Sequence, residues 1–173
     1  KEKSSNFDYK DAVKRPKELN ADLNITTVKG VKYGVIIGLM DNRPYEIFGF
    51  NLPEEVKGPC SGKIIKVKKG HYDFKCDDLL LKDIQDLAIH SDELVLTRLL
   101  SGMMRHGIDP KYISQQIDKC NLEIVSFGKA VSRVISKYNK EVEEVSEGCP
   151  DCGGKLVKQE GCTKCSSCSW SRC

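Results

Sequence analysis

The stretch CPDCGGKLVKQEGCTKCSSCSWSRC, residues 149–173, carries six of the nine cysteines in this 173-residue chain. Its spacings are Cys149-x2-Cys152, then Cys162-x2-Cys165-x2-Cys168, then four residues to Cys173. A CxxC step lets two thiolates from one tight turn reach one metal ion, and two such turns complete a tetrahedron. Pro150 fixes one φ and Gly153-Gly154 relaxes the next ones, which suits the turn of the first pair. Leu156 and Val157 read as a short strand leading to the second group. The pattern predicts a small zinc ribbon. The competing reading is a disulfide cluster of a secreted domain.

A tetrahedral site takes four thiols and this cluster holds six, so two are in surplus. Cysteines near a chain end and outside a closed metal site are reactive rather than structural. Cys173 closes the sequence and is expected to move unless something docks it. Cys168 with Cys173, or Cys162 with Cys173, can form a reversible disulfide, and a dithiol on a mobile end carries two electrons.

Working back from the ribbon, residues 140–148 are acidic and nearly without large apolar groups, and read as a flexible tether. Before them the apolar period is 3.6. Ser91 is a candidate N-cap, with Val95, Leu96, Leu99, Leu100 and Met103 as an apolar face and Gly107 as the stop. Asp109-Pro110 opens a second helix, and Tyr112, Ile113 and Ile117 give it one apolar side. Ser126 caps a third, with Ala130, Val131, Val134, Ile135 and Tyr138 at helical spacing. Upstream, residues 25–28, 33–40 and 45–50 are β-prone, and Asp41-Asn42 turns the second into the third. A further hairpin spans residues 63–74 and turns near Gly70. Its lysines belong to an open strand face; the alternative use, gripping nucleic acid with Tyr72 and Phe74 as stacking groups, is the less economical one. Residues 1–20 are polar and read as a linker or arm. The expected organisation is an arm (1–20), an α+β domain of antiparallel hairpins followed by three helices (21–139), a tether (140–148) and a zinc ribbon with a redox tail (149–173).

Composition excludes several classes. With 39% apolar and 31% charged residues the chain is globular, and a net charge of +3 does not by itself argue for a nucleic-acid partner. No run is long enough for a membrane span and no signal peptide opens the chain. CxxC pairing fits a reducing compartment, so a cytoplasmic location is expected. His71, His90 and His106 are scattered, and Cys60, Cys76 and Cys120 stand alone. Residues 1–148 show no catalytic constellation and no phosphate loop.

Several segments, in order, carry a family resemblance. They are Arg15-Pro16-Lys17-Glu18-Leu19, Asn42-Arg43-Pro44-Tyr45-Glu46-Ile47-Phe48, Gly62-Lys63-Ile64 through Lys69-Gly70, and Tyr72-Asp73. Leu99-Leu100-Ser101, Arg105-His106-Gly107, Ser126-Phe127-Gly128-Lys129-Ala130 and Arg133-Val134 follow. Glu160-Gly161-Cys162-x2-Cys165-x2-Cys168 and Ser171-Arg172-Cys173 complete the set. Over residues 15–173 the chain resembles the C-terminal region of adenosylcobalamin-dependent (class II) ribonucleotide reductases. Ser169 departs from it, standing where a CxxCG knuckle has glycine. The family's catalytic barrel, with its radical cysteine and its substrate and cobalamin sites, has no counterpart here. The resemblance therefore implies a C-terminal piece of a larger or split enzyme, inactive by itself, with adenosylcobalamin held in the other part.

The resemblance also implies a mechanism. Reducing a ribonucleotide oxidises two active-site cysteines to a disulfide; a C-terminal dithiol exchanges with it and is itself reduced by thioredoxin or a similar protein. The expected partners are thus the reductase's catalytic domain and a thioredoxin-like reductant, with neither membrane nor nucleic acid. Two CxxC pairs at knuckle spacing assign zinc to Cys149, Cys152, Cys165 and Cys168 and leave Cys162 and Cys173 for exchange. The alternative places zinc on Cys149, Cys152, Cys162 and Cys165 and leaves Cys168 and Cys173.

Overall fold

The computed structural model describes residues 11–88, 90–120, 126–139, 143–159, 162–165, 168 and 170–172. Its contacts divide the chain into two units, Lys1–Asn139 and Lys140–Cys173.

The first unit is α+β. Six strands, β1 (Glu18–Val28), β2 (Val31–Met40), β3 (Arg43–Asn51), β4 (Cys60–Lys68), β5 (His71–Cys76) and β6 (Leu79–Leu81), form one antiparallel sheet in the order β3-β2-β1-β4-β5-β6. The tight turns use residues that tolerate positive φ: Lys29-Gly30 between β1 and β2, and Asp41-Asn42 between β2 and β3. Period-two alternation then splits the strands between two cores. Ala21, Leu23, Ile36, Phe50, Ile64, Phe74 and Leu81 meet on one face, where a 3-10 turn (Ile84–Asp86) adds Ile84 and packs against both β3 and β5. Val35, Ile37 and Ile47 turn to the other face and meet the helices. Gly62 permits the closest approach in the sheet, since a Cβ there would lie 2.1 Å from the Lys75 carbonyl oxygen.

Three helices cover the second face: α1 (Ser91–Arg105), α2 (Pro110–Lys119) and α3 (Phe127–Ser136). Asp109 caps α2, its carboxylate accepting from the Lys111 amide at 2.8 Å, and Ser126 caps α3 by accepting from Lys129 N at 3.2 Å. Gly107, at φ +78°, follows the end of α1. Leu100, Met104, Ile113, Ile117, Val131, Val134 and Ile135 complete the helical core. Tyr138 fastens the end of α3 to β1 by donating to Asp22 Oδ2 at 2.9 Å and accepting from Asn24 Nδ2 at 3.2 Å. Burial, followed by smaller opposing effects of Asn24 and Asp22, pushes its hydroxyl up to about 12.

Several expectations need correcting. His90, not Ser91, occupies the N-cap of α1, and Ser91 is the first helical residue. The buried face of α1 is Glu93, Thr97, Leu100, Ser101 and Met104, whereas Val95 and Leu99 are 54% and 65% exposed. The helix is turned because Ser101 locks onto β3: its hydroxyl donates to Ile47 O and accepts from Ile47 N, at 3.1 and 3.0 Å. Strand β1 begins inside the expected arm, at Glu18, and residues 143–148 are strand rather than tether. Phe74 is wholly buried and Tyr72 has the Arg15 guanidinium 4.9 Å from its ring centroid, so neither is an open stacking surface.

The second unit is a four-stranded antiparallel sheet in the order β10-β9-β8-β7, built from β7 (Glu143–Gly148), β8 (Lys155–Gln159), β9 (Cys162–Cys165) and β10 (Ser171–Arg172). Strand formation at 143–148 comes from backbone pairing: Glu143, Glu144 and Val145 oppose Lys158, Val157 and Leu156.

Candidate metal centre

The β7–β8 turn is a cysteine knuckle. Cys149 N donates to Gly154 O and Gly153 N donates back to Cys149 O, each at 2.8 Å. The reversal needs a residue in the left-handed region, and Gly153 supplies it at φ +70°. This turn presents Cys149, buried, and Cys152, exposed, on one side of a hairpin. Cys168 comes to meet them: the sulfurs of Cys149, Cys152 and Cys168 all lie within 4.8 Å of one another, and the Cys149–Cys168 separation is 3.7 Å. Sulfurs bound tetrahedrally at about 2.3 Å sit roughly 3.8 Å apart, whereas a disulfide would hold them at about 2.05 Å. The cluster therefore has the spacing of ligands around a shared ion. Its all-sulfur donor set suits zinc or iron and excludes magnesium and calcium.

The backbone places Cys165 opposite Leu156 and Cys162 opposite Gln159, across the β8–β9 ladder. Cys173 lies outside the described residues. Of the predicted thiols, then, three are brought together and two more are located on β9 by register.

In the first unit the chemistry-bearing side chains are ionic. Glu46, wholly buried, accepts from Arg15 Nη2 at 2.7 Å and Arg15 Nε at 3.0 Å through its two oxygens, and from Arg105 Nη2 at 2.8 Å. Arg105 also stacks over Tyr45, 5.5 Å from its centroid. A register shift between Gly38 and Leu39 leaves Tyr45 as the extra residue of β3, and its hydroxyl donates to Val13 O. The Val13 amide in turn donates to Arg105 O at 3.2 Å. Residues 13–15, β3 and the end of α1 are thereby clamped together. Three segments that carry the family resemblance meet at this clamp: those containing Arg15, Glu46 and Arg105.

The model of the family described as NrdJ homologue C-terminal domain matches residues 19–140. The chain belongs to this family. NrdJ is the adenosylcobalamin-dependent ribonucleotide reductase, so the family ties this NrdJ-homologue domain to that enzyme. No curated protein and no solved structure matches the chain. The match covers nearly all of the sheet-and-helix unit and stops before β7, so the cysteine ribbon stands on its own geometry.

A second group was not visible in the sequence. His71, Asp83 and Asp86 bring their ligand atoms within 4.8 Å of one another. His71 Nδ1 lies 2.9 Å from Asp83 Oδ1, and hydrogen bonding from His71, then Gln85, holds the Asp83 carboxyl below its ordinary range. Asp83 sits at φ 47° with its amide donating to Asp73, so the group closes the turn after β6. No helix among the described residues is long and apolar enough to cross a membrane.

Proposed function

We propose that this NrdJ-homologue chain is the C-terminal redox arm of an adenosylcobalamin-dependent ribonucleoside-diphosphate reductase, an enzyme of DNA-precursor synthesis in the cytoplasm. The observation that carries the reading is the seat of Cys168 beside Cys149 and Cys152. It supports the ligand set Cys149, Cys152, Cys165 and Cys168, because Cys165 is the CxxC partner of Cys168. Cys162 and Cys173 are then the exchange pair. A zinc ion bound there supplies a closed structural centre that keeps four thiolates out of redox exchange.

The step itself is thiol–disulfide exchange. A thiolate of Cys162 or Cys173 attacks the active-site disulfide of the catalytic domain, forming a mixed disulfide and releasing one active-site thiolate. The second tail thiol attacks the mixed disulfide and releases the other. The tail leaves as a disulfide, and the active site gains two electrons and two protons. A thioredoxin-like dithiol reduces the tail by the same chemistry. The catalytic domain lies upstream in the same polypeptide or in a separate chain. The other reading, a nucleic-acid-binding ribbon, draws less support because Phe74 and Tyr72 are both taken up by the fold.

The test pairs Cys173→Ser and Cys162→Ser with Cys168→Ser in the assembled reductase. The first two are expected to allow a single turnover, stop repeated turnover with thioredoxin as reductant, and retain one equivalent of zinc. Cys168→Ser is expected to lose the metal. Unchanged steady-state turnover in Cys173→Ser overturns the proposal.

A further inference from the structure

The rotation of α1 that exposes Val95 and Leu99 also builds a cleft in the first unit. It has a volume of about 110 Å³ and lies between α1, β3, the β4–β5 turn and the 3-10 turn. Phe48, Ile84 and Leu94 give it apolar walls; Tyr72, Arg98 and Arg105 give it polar ones. No aspartate or glutamate lines it. Arg98 and Arg105 stand seven residues apart on α1, two turns along one face, so their backbones are roughly 10 Å apart and their long side chains can converge between.

The charges do not cancel. Arg105 gives Nη2 to Glu46, but Glu46 is shared with Arg15, so that trio keeps one net positive charge. Arg98 has no acidic partner among the described residues and adds a second. The other polar groups differ in availability. Ser101 is committed to Ile47, and the Gln85 amide is occupied by the Tyr72 amide and by Asp83 and Asp86. The Tyr72 hydroxyl has no hydrogen-bond partner among the described residues and remains as a neutral donor.

We propose that this cleft binds the oxyanion group of a small molecule, a phosphate or a carboxylate. Guanidinium forks match both groups bidentately, and apolar walls strengthen the attraction by lowering the local dielectric. At about 110 Å³ the cleft suits a small polar group rather than a large ligand. The site is independent of the cysteine ribbon and of the exchange chemistry assigned to it.

The test titrates the full, metal-loaded chain with sodium phosphate and, separately, with sodium acetate, at ionic strength held constant with sodium chloride. Binding is read by calorimetry and by the midpoint of thermal unfolding. Arg98→Ala removes an exposed side chain and leaves the fold in place; Arg43→Ala, at the exposed start of β3, controls for the loss of any one positive charge. Saturable binding, weakened about tenfold in Arg98→Ala and unchanged in Arg43→Ala, is expected. Binding of both anions supports a general oxyanion site, and binding of phosphate alone narrows it to phosphate. The proposal is overturned if neither anion acts beyond chloride, if Arg98→Ala titrates like the parent, or if Arg43→Ala loses as much.

Discussion

Replacing Glu46 with glutamine tests whether charge, rather than shape, holds the clamp together. The amide is nearly isosteric and keeps one acceptor oxygen, but its NH2 then faces a guanidinium, donor against donor. Removing one partner of a buried ion pair costs about 3–5 kcal/mol, because the remaining charge stays desolvated. Arg15 meets that condition at 7% exposure, whereas Arg105, at 32%, recovers part of its loss from water. The expected cost is therefore about 3 kcal/mol, a large share of the 5–15 kcal/mol typical of a domain. At roughly 3 °C per kcal/mol for a unit of this size, the midpoint falls by about 10 °C. Urea unfolding followed by far-UV circular dichroism is the assay, since the single tryptophan, Trp170, belongs to the other unit. Amide exchange adds a local readout: the Val13 amide, bonded to Arg105 O, is expected to lose protection first. A combined Arg15→Met, Glu46→Leu, Arg105→Met variant removes every charge and is expected to return to within about 1 kcal/mol of the parent. A cost under about 1 kcal/mol for Glu46→Gln, with Val13 still protected, would refute the electrostatic account.

Four further outcomes are expected. Native protein treated with an aromatic disulfide reagent at pH 8 should modify exposed Cys120 but neither Cys60 nor Cys76 until denaturant is added; peptide mapping checks this. Burial first, then hydrogen bonding to Cys76, pushes the Cys60 thiol up to about 12. Because that pKa is raised, the stabilisation it contributes is full below about 9, the ordinary value, and disappears as pH climbs toward 12, so alkaline unfolding should be eased in this window. Stripping the metal with a strong chelator should abolish amide protection at Cys149 and Gly153 while the sheet-and-helix unit keeps its cooperative thermal transition. Tyr138→Phe should cost about 1 kcal/mol, since it removes one hydroxyl from a half-buried network with Asp22 and Asn24; equilibrium denaturation measures it.

Local chemistry was legible wherever one residue type decides the backbone. Asp41-Asn42, Gly70, Gly107, Asp109 and Ser126 do in the structure what their side chains predict, because caps and positive-φ turns are decided within four residues. Strands and helices followed from period. What failed was phase: counting apolar residues put Val95 and Leu99 inside, but the two hydrogen bonds between Ser101 and Ile47 fix which side of α1 meets β3. No local count contains that information. The strand at 143–148 was invisible for a related reason, its only support being pairing with β8. In the ribbon, CxxC spacing pointed to Cys149 and Cys152 as a pair on one turn, and the chain reverses across 19 residues to bring Cys168 to 3.7 Å from Cys149. The clamp is more remote still, joining Arg15 and Arg105 to a glutamate 31 and 59 residues away in sequence.

A chain whose proposed task is thiol exchange must also keep its other thiols out of that exchange, and the fold separates the two groups by physical means. Attack requires the thiolate, and a thiol whose pKa burial raises well above its ordinary value is scarcely ionised at pH 8. Cys60 is therefore silent even though it is only half-buried, and its neighbour Cys76 is shielded in the sheet core. Cys149, Cys152 and Cys168 lie close enough together for one ion to hold them, and under the proposed function that ligation would quench them by the opposite device. Protonation and ligation are the two ways of disarming sulfur without oxidising it. With Cys60 kept protonated, Cys76 buried and the proposed four-sulfur centre filled, Cys120 and two tail cysteines are left. Cys120 ends α2 with its thiol 3.5 Å from the Gln116 carbonyl oxygen, on a helix fixed to the sheet. A fixed thiol cannot travel to a distant disulfide. If Cys120→Ser impaired thioredoxin-driven turnover as strongly as Cys173→Ser, this partition would be wrong, and exchange would have to run through the body of the domain.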